Sequence, residues 1–380
     1  MLLQPSEHQA AGHKGTLIDE DGSLFIKPTS SQEIEFYNQV IHHDEVIMSQ
    51  QQPEMVGESK LSDWMPMCFG ELKPGVSNQL ANHDHGLPNF DGNINVVDDG
   101  KTYIVLENLY NNYKFPSILD IKLGSVLTDE DTTPEKASRL AKVAQETTSG
   151  SHHFRICGMK VYSDKIPQNQ LFENMDKTIV SNGDYLEYNK IYGRSLNGDT
   201  IESGIYQFFK SLNHDLKIYC LLNQFHKRLQ MLYNCLLDYE VRIFSGSLLF
   251  IYENDDAKWQ GINLLDEAAF QLKDPLIKVP LTNDDDDDDD YDDDDYDDDD
   301  DSNNNINENK IKNSNSDNDQ QKAETQDQIT YPSSLSQLNL IDFAHSKFTP
   351  GKGHDDNVLQ GIENLIIIFN NLIEKYKPSV

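Results

Sequence analysis

Cysteine is scarce in this 380-residue chain: Cys68, Cys157, Cys220 and Cys235 are the only four, and no two form a CxxC pair. That pattern argues against a disulfide scaffold or a thiolate zinc site. Each Cys sits in a mainly apolar stretch, so buried free thiols and a reducing compartment are expected. Long apolar runs are missing too. LIIIF and SLLFIY are far too short to cross a bilayer, and the first residues show no apolar leader, so a soluble intracellular protein is expected. Positive charge is in deficit: 31 Lys and Arg stand against 65 Asp and Glu, a formal net charge of −34 that argues against direct nucleic-acid binding.

Several signatures are absent. There is no GxGxxG, no GxxxxGK followed by Ser or Thr, no HRD or DFG, and no GxSxG. A dinucleotide fingerprint, a P-loop, the protein-kinase motif set and a hydrolase nucleophile elbow are therefore excluded. The histidine pairs His42-His43, His83 with His85, and His152-His153 have no Cys or further His at ligand spacing, and read as surface residues rather than metal ligands.

Much of the negative charge is local. Residues 284–301 hold 16 Asp and two Tyr, and removing them leaves −18 on the rest. Like charges at nearly every position, with almost no apolar surface to offset chain entropy, predict disorder there. The polar, low-complexity sequence to Gln328 extends this linker to 283–328. Folded material is expected over roughly 15–282 and 330–377.

Residues 15–28 predict a hairpin turning at Asp21-Gly22, followed by a helix in SSQEIEFYNQVIHH with a capping arrangement at its start and an apolar stripe of Ile34, Tyr37, Val40 and Ile41. KTYIVLENLY, 101–110, reads as a strand leading into a loop, so the first hundred or so residues suggest an antiparallel sheet with one helix. In PSILDIKLGS, 116–125, Asp120 and Lys122 point to one face of a strand while Leu119, Ile121 and Leu123 point to the other, and Gly124 ends it. On residues alone, that pair is either a solvated ion pair on an edge strand or a functional acid and base. TTPEKASRLAKVAQE, 132–146, is a helix capped by Thr132 or Thr133, with Ala137, Leu140, Ala141 and Ala144 opposite Lys136, Arg139 and Lys142. The strand FRICGMKVY adds Arg155 and Lys160. This basic island is either a solvated face or a site for a strongly anionic small ligand. A long helix over 216–240, the strands of VRIFSGSLLFIYE, a short strand before Asp342 and His345, and a closing helix with Val358, Ile362, Leu365, Ile366, Phe369 and Ile373 on one face complete the pattern.

A Lys on an early strand, Lys27, a strand-to-loop exit, an Asp-x-Lys pair, a basic island and an isolated Asp342 after a late strand are the parts phosphoryl transfer needs. Together they resemble the inositol polyphosphate kinase family. PSILDIKLG is similar to its PxxxDxKxG signature, and QETTSGSHHFRICGMKVY, YGRSL (192–196), GSLLFIYE (246–253) and LIDFAHS (340–346) follow in that family's order over nearly all of the folded chain.

The resemblance implies a two-lobed, kinase-like α+β fold of the inositol polyphosphate kinase and SAICAR synthase-like type, with antiparallel sheets. An ATP-side lobe would span 1–107 and a second lobe 108–380, with a helical inositol-phosphate-binding insertion at 129–150. It implies ATP and Mg2+ as cofactors. Lys27 would hold the ATP phosphates, Glu107 and Leu109 would meet adenine through backbone groups, and Ser247 would lie in the SSLL motif of the ATP site. Asp120 would contact the ribose or an inositol hydroxyl and orient the nucleophile. Lys122 would stand between the transferred phosphoryl group and the acceptor. Arg139, Lys142, Lys160 and His345 would bind substrate phosphates, and Asp342 the metal. Two departures stand out: Gly246 replaces the first Ser of that motif, and His152-His153 precedes Phe154 where Gly is common.

The compact size and acidic insertion are most similar to the fungal multikinase members, which implies phosphorylation of inositol 1,4,5-trisphosphate to tetrakis- and pentakisphosphates. A hexakisphosphate kinase making pyrophosphates is the alternative within the family, and phosphatidylinositol bisphosphate a possible acceptor. From another class, the Asp block would dock basic or transcription-factor proteins, or serve only as a spacer. Residence in nucleus and cytoplasm and a role in transcriptional regulation follow only from the resemblance.

Overall fold

The computed structural model describes residues 3–6, 15–50, 59–72, 100–163, 177–264 and 335–378. The Asp block, the polar stretch to Gln328, and His83 and His85 lie outside the described residues.

The chain opens with β1 (Leu3–Pro5), β2 (Leu17–Asp19) and β3 (Leu24–Pro28). The β2–β3 hairpin forms as its turn signal predicts: Asp19, at the end of β2, accepts hydrogen bonds from the Leu24 N–H at 2.8 Å and the Ser23 hydroxyl at 2.9 Å. After α1 (Ser31–Gln50) come β4 (Cys68–Leu72) and β5 (Tyr103–Glu107), giving an antiparallel sheet in the order β1-β2-β3-β5-β4. The Ser30 hydroxyl caps α1 by accepting from the Glu33 N–H. The buried stripe of α1 is Phe36, Tyr37 and Val40, whereas Ile34 and Ile41, expected in the core, are half-buried at its margin.

A second antiparallel sheet contains β6 (Pro116–Leu123), β7 (Phe154–Tyr162), β8 (Ile179–Asn182), β9 (Tyr185–Tyr188), β11 (Ser247–Glu253) and β12 (Ser336–Ile341), in the order β12-β11-β6-β7-β9-β8. The strands β10 (Val241–Ile243) and β13 (Ser346–Phe348) form a separate ribbon. Leu119, Ile121 and Leu123 are fully buried, as their alternation requires, and Gly124 ends β6 at φ 89°, where a Cβ would lie 2.4 Å from the Asn357 amide. Between β6 and β7 the chain leaves the sheet as α2 (Pro134–Gln145) and α3 (Thr148–His152), the expected helical insertion.

The remaining helices are α4 (Lys190–Ser195), α5 (Ile201–Lys210), α6 (Asp215–Leu237), the single turn α7 (Asp256–Trp259) and α8 (Asp356–Tyr376). The principal core joins the Leu119 face of the second sheet to α5, α6 and α8. Phe250 of β11 lies between Phe225 of α6 at 5.2 Å and Phe369 of α8 at 5.7 Å, ring centroid to centroid. That packing commits one face of the sheet to the interior and leaves the other, bearing Asp120 and Lys122, for chemistry. None of the four cysteines is in a disulfide; Cys220 and Cys235 are buried, while Cys68 and Cys157 are only half-buried.

Candidate active site

Strand register assembles the site. Lys122 of β6 pairs with Arg155 of β7 on one side and Ser247 of β11 on the other, and Ser247 pairs with Ile341 of β12. These four side chains make a row across one sheet face. Asp120 lies two residues back, opposite Leu249 and Gly158, next to a bulge in β7. Asp342 follows Ile341 at φ 67°, a left-handed conformation that Asp tolerates better than most residues. The turn lifts its carboxylate toward the first sheet.

From that sheet, Lys27 of β3 reaches back. Its ammonium lies 2.8 Å from Glu33 of α1 and 3.1 Å from Asp342. Burial alone would lower the Lys27 pKa, but the two carboxylates outweigh it and hold the ammonium above its ordinary value. Glu33 also accepts from the Thr29 hydroxyl at 2.6 Å and the Phe343 N–H at 3.1 Å. One buried carboxylate thus ties β3, α1 and the turn carrying Asp342 together.

Two cavities meet at Lys27 and Asp342. The first, about 650 Å³, is walled by Phe25, Tyr37, Leu106, Leu109, Leu249 and Ile341, with Glu107 and Asn108 at its edge. The Glu107 N–H donates to the Met67 carbonyl at 2.9 Å, and its carboxylate accepts from the Met67 N–H at 3.0 Å. The second, an open cleft of about 1130 Å³, is lined by Lys122, Lys136, Arg139, Arg155 and His345. Lys122 donates to the Ser245 carbonyl at 2.5 Å, Arg155 to the Ser149 hydroxyl at 2.7 Å, and the Nδ1 of His345 lies 2.7 Å from the Asp129 carboxylate.

Asp120 and Ser247 line neither cavity. They sit beneath the seam between Leu249, on the first wall, and Lys122, on the second. The Asp120 carboxyl is pushed up to about 6, mainly by burial; Lys122 opposes the shift and the Asp342 charge adds to it. The Ser247 hydroxyl stabilises the carboxylate slightly, yet Asp120 Oδ1 and Ser247 Oγ are both buried without a well-formed hydrogen bond. The solvated ion pair left open by the sequence is thus not what forms.

Lys27, Glu107, Leu109, Lys122, Arg139, Asp342 and His345 stand on the cavity walls, while Lys142 and Lys160 do not. Lys142 is about 120° around α2 from Lys136; its side chain is 72% exposed and lies 3.7 Å from Glu146. Lys160 shares the Asp120 face but pairs with Ile118, roughly 13 Å along the strand from Lys122. It is buried 3.8 Å from Glu187, with its ammonium over the Tyr185 ring. Lys136 and Arg155, read from the sequence only as members of the basic island, also stand on the wall of the cleft, and Glu33, to which sequence reasoning gave no role, lies beside them.

Both departures have local causes. A Cβ on Gly246 would lie 2.5 Å from Ile243 Cγ2, so a Ser there requires Ile243 to move. His153 adopts φ 56° at the end of α3, where Gly is at ease, and its carbonyl accepts the Gly124 N–H at 2.6 Å.

No cluster of three or more metal-ligating side chains occurs among the described residues. A Mg2+ ion held by one or two carboxylates plus a nucleotide's phosphates needs no such cluster. Asp342, 30% exposed at the junction, and the unpartnered oxygen of Asp120 fit that kind of site.

Residues 103–370 match the inositol polyphosphate kinase family. The inositol polyphosphate multikinase of Saccharomyces cerevisiae is 40% identical over 375 residues, 96% of each chain. That of Schizosaccharomyces pombe is 29% identical over 253 residues, covering 67% of this chain and 80% of its own. The crystal structure of the inositol phosphate multikinase Ipk2 from S. cerevisiae, in complex with ADP and Mn2+, superposes with a TM-score of 0.61 at 30% identity, covering 93% of this chain and all of that one. An apolar cavity and a cationic one joined at a Lys–Asp pair, together with this near full-length similarity, place the chain in the inositol polyphosphate kinase family.

Proposed function

We propose that this protein is an ATP- and Mg2+-dependent inositol polyphosphate multikinase, phosphorylating ring hydroxyls of inositol 1,4,5-trisphosphate and then of its tetrakisphosphate product. The observation that carries the reading is the meeting of the two cavities at Lys27 and Asp342. A planar apolar base suits the first cavity and a cluster of phosphates the second, so a phosphoryl group passing between them must cross at that junction.

In this reading Lys27 exchanges one carboxylate partner for the nucleotide phosphates. Asp342, with Asp120 behind it, would hold Mg2+, which when bound neutralises charge on the phosphates of ATP. Lys122, on the wall of the acceptor cleft, stabilises charge on the group in transit. Lys136, Arg139, Arg155 and His345 hold the acceptor's phosphates and aim a free hydroxyl at the junction. From beneath the seam, Asp120 would orient the attacking hydroxyl. The breadth of the cleft supports acceptance of more than one phosphate pattern. The near full-length match to multikinases favours this reading over a hexakisphosphate kinase. The same cleft would take the headgroup of phosphatidylinositol bisphosphate. The Asp block would serve as a docking arm for basic nuclear proteins in transcriptional control.

The test is a Mg-ATP assay on inositol 1,4,5-trisphosphate with products separated by charge. Wild type should yield tetrakis- and then pentakisphosphate, and Lys122→Ala and Asp342→Asn should each lose at least about 100-fold in kcat. A folded wild type that turns over no inositol phosphate overturns the reading.

A further inference from the structure

The helix α2 that carries Lys136 and Arg139 is poorly anchored along its length. Of its twelve residues only Ala144, near the C-terminal end, is buried; Ala137, Leu140 and Val143 are half-buried and the rest exposed. A twelve-residue helix is marginal without tertiary support. The C-terminal end packs on α3. The N-terminal end, nearest the two cations, is held differently.

There the turn 129–132 makes two acid–base pairs with the segment just beyond Asp342. The Asp129 carboxylate lies 2.7 Å from His345 Nδ1, and Glu130 pairs with Lys347. The turn is preformed: Asp129 accepts from the Thr132 hydroxyl at 2.5 Å through one carboxylate oxygen, leaving the other for His345. The Asp129 side chain is only 4% exposed. Burial would raise its carboxyl, but the bonds from Thr132 and His345 hold it below its usual range. Because Nδ1 of His345 is engaged, Nε2 is the ring nitrogen left for the cleft.

We propose that Asp129 and Glu130 are positioning residues: they latch the 129–132 turn to His345 and Lys347 and so hold Lys136 and Arg139 over the cationic cleft, setting acceptor affinity without touching the acceptor. The inference rests on the multikinase reading for its choice of substrate. The nucleotide cavity shares none of the latch residues, so nucleotide affinity is independent of it.

The experiment uses the full chain as wild type, Asp129→Asn/Glu130→Gln, and the exchanged pair Glu130→Lys/Lys347→Glu. Each pair contributes at most about fivefold if it behaves as a partly exposed ion pair. The double variant should therefore raise KM for inositol 1,4,5-trisphosphate about 5- to 20-fold, with kcat and KM for ATP within twofold of wild type. The exchanged pair should restore KM to within about threefold of wild type, while Glu130→Lys alone should not. Equal losses in kcat and in both KM values, or an unchanged acceptor KM, overturn the proposal.

Hydrogen–deuterium exchange on the free proteins supplies a second readout. The double variant should speed exchange across 134–145 about tenfold and leave β6 and β11 unchanged. Unaltered exchange in α2 sinks the latch whatever the enzyme phosphorylates. If wild type phosphorylates no inositol phosphate while exchange still rises in α2, the latch stands and only the substrate reading falls.

Discussion

Replacing Asp120 by Asn should make the protein more stable and far less active. A carboxyl whose folded-state pKa is raised from 3.8 to about 6 opposes folding wherever it is ionised. The penalty is absent below about pH 4, grows as pH rises, and is complete somewhat above pH 6. At 1.36 kcal/mol for each pKa unit, it amounts to about 3 kcal/mol at pH 7.5 and about half that at pH 5. Asp120 is 5% exposed, so little of this is screened. Asn keeps the shape without the charge, and urea unfolding should show Asp120→Asn gaining about 2–3 kcal/mol at pH 7.5 and clearly less at pH 5. Kinase turnover should fall about 100-fold or more. An Asn variant no more stable than wild type at pH 7.5, or a gain independent of pH, would refute the reasoning. The sign matters: Glu253, also buried, is held low by donors that include the Lys114 and Phe115 N–H groups, and removing that carboxylate should weaken the fold.

Two further outcomes follow from the same geometry. Glu33→Gln leaves Lys27 with one carboxylate and weakens the tie to the Phe343 N–H; it should cost about 2–4 kcal/mol in urea unfolding and raise KM for ATP more than KM for the acceptor, and a change under about 0.5 kcal/mol would count against the pairing. His153→Gly relieves a left-handed backbone at the end of α3 and should stabilise by about 0.5–1 kcal/mol after allowing for the freer unfolded chain, read as a higher Tm; a lower Tm would show that the ring itself is needed.

The parts of the fold written in short-range pattern were legible. Alternation in β6 gave its two faces, and the Thr-Thr-Pro-Glu start gave the N-terminus of α2, where Thr133 accepts from the Lys136 N–H. Lys27, Glu107, Leu109 and Asp342, which line the first cavity, were singled out through a resemblance, because motif order survives where contacts cannot be seen. What failed was phase and register. A helix wheel puts Lys142 on the basic side of α2, but only the folded cleft shows that Lys136 and Arg139, not Lys142, line it. Arg155 and Lys160 occupy similar places in their strand, and the bulge opposite Asp120 together with the pairing to Lys122 decides between them. Glu33 was hidden because its position, three residues after Ser30, looked like helix capping. Its carboxylate instead serves Lys27 and Phe343, which are remote in sequence from each other.

The pairing of β12 with β11 joins Ser336 to Tyr252 across the whole Asp block, and α8 follows it into the core between α3 and α6. Asp342 is therefore among the last parts of the site to leave the ribosome. A nascent chain that has made Lys27, Asp120, Lys122 and the basic helix has an incomplete junction, and Phe225 has yet to meet Phe369. For the time needed to translate the Asp block, about 1–4 s for the 18 residues of 284–301 at usual rates, the cell holds an unfinished kinase with an exposed apolar surface. Activity and solubility then arrive together, with β12, the turn that carries Asp342, and α8.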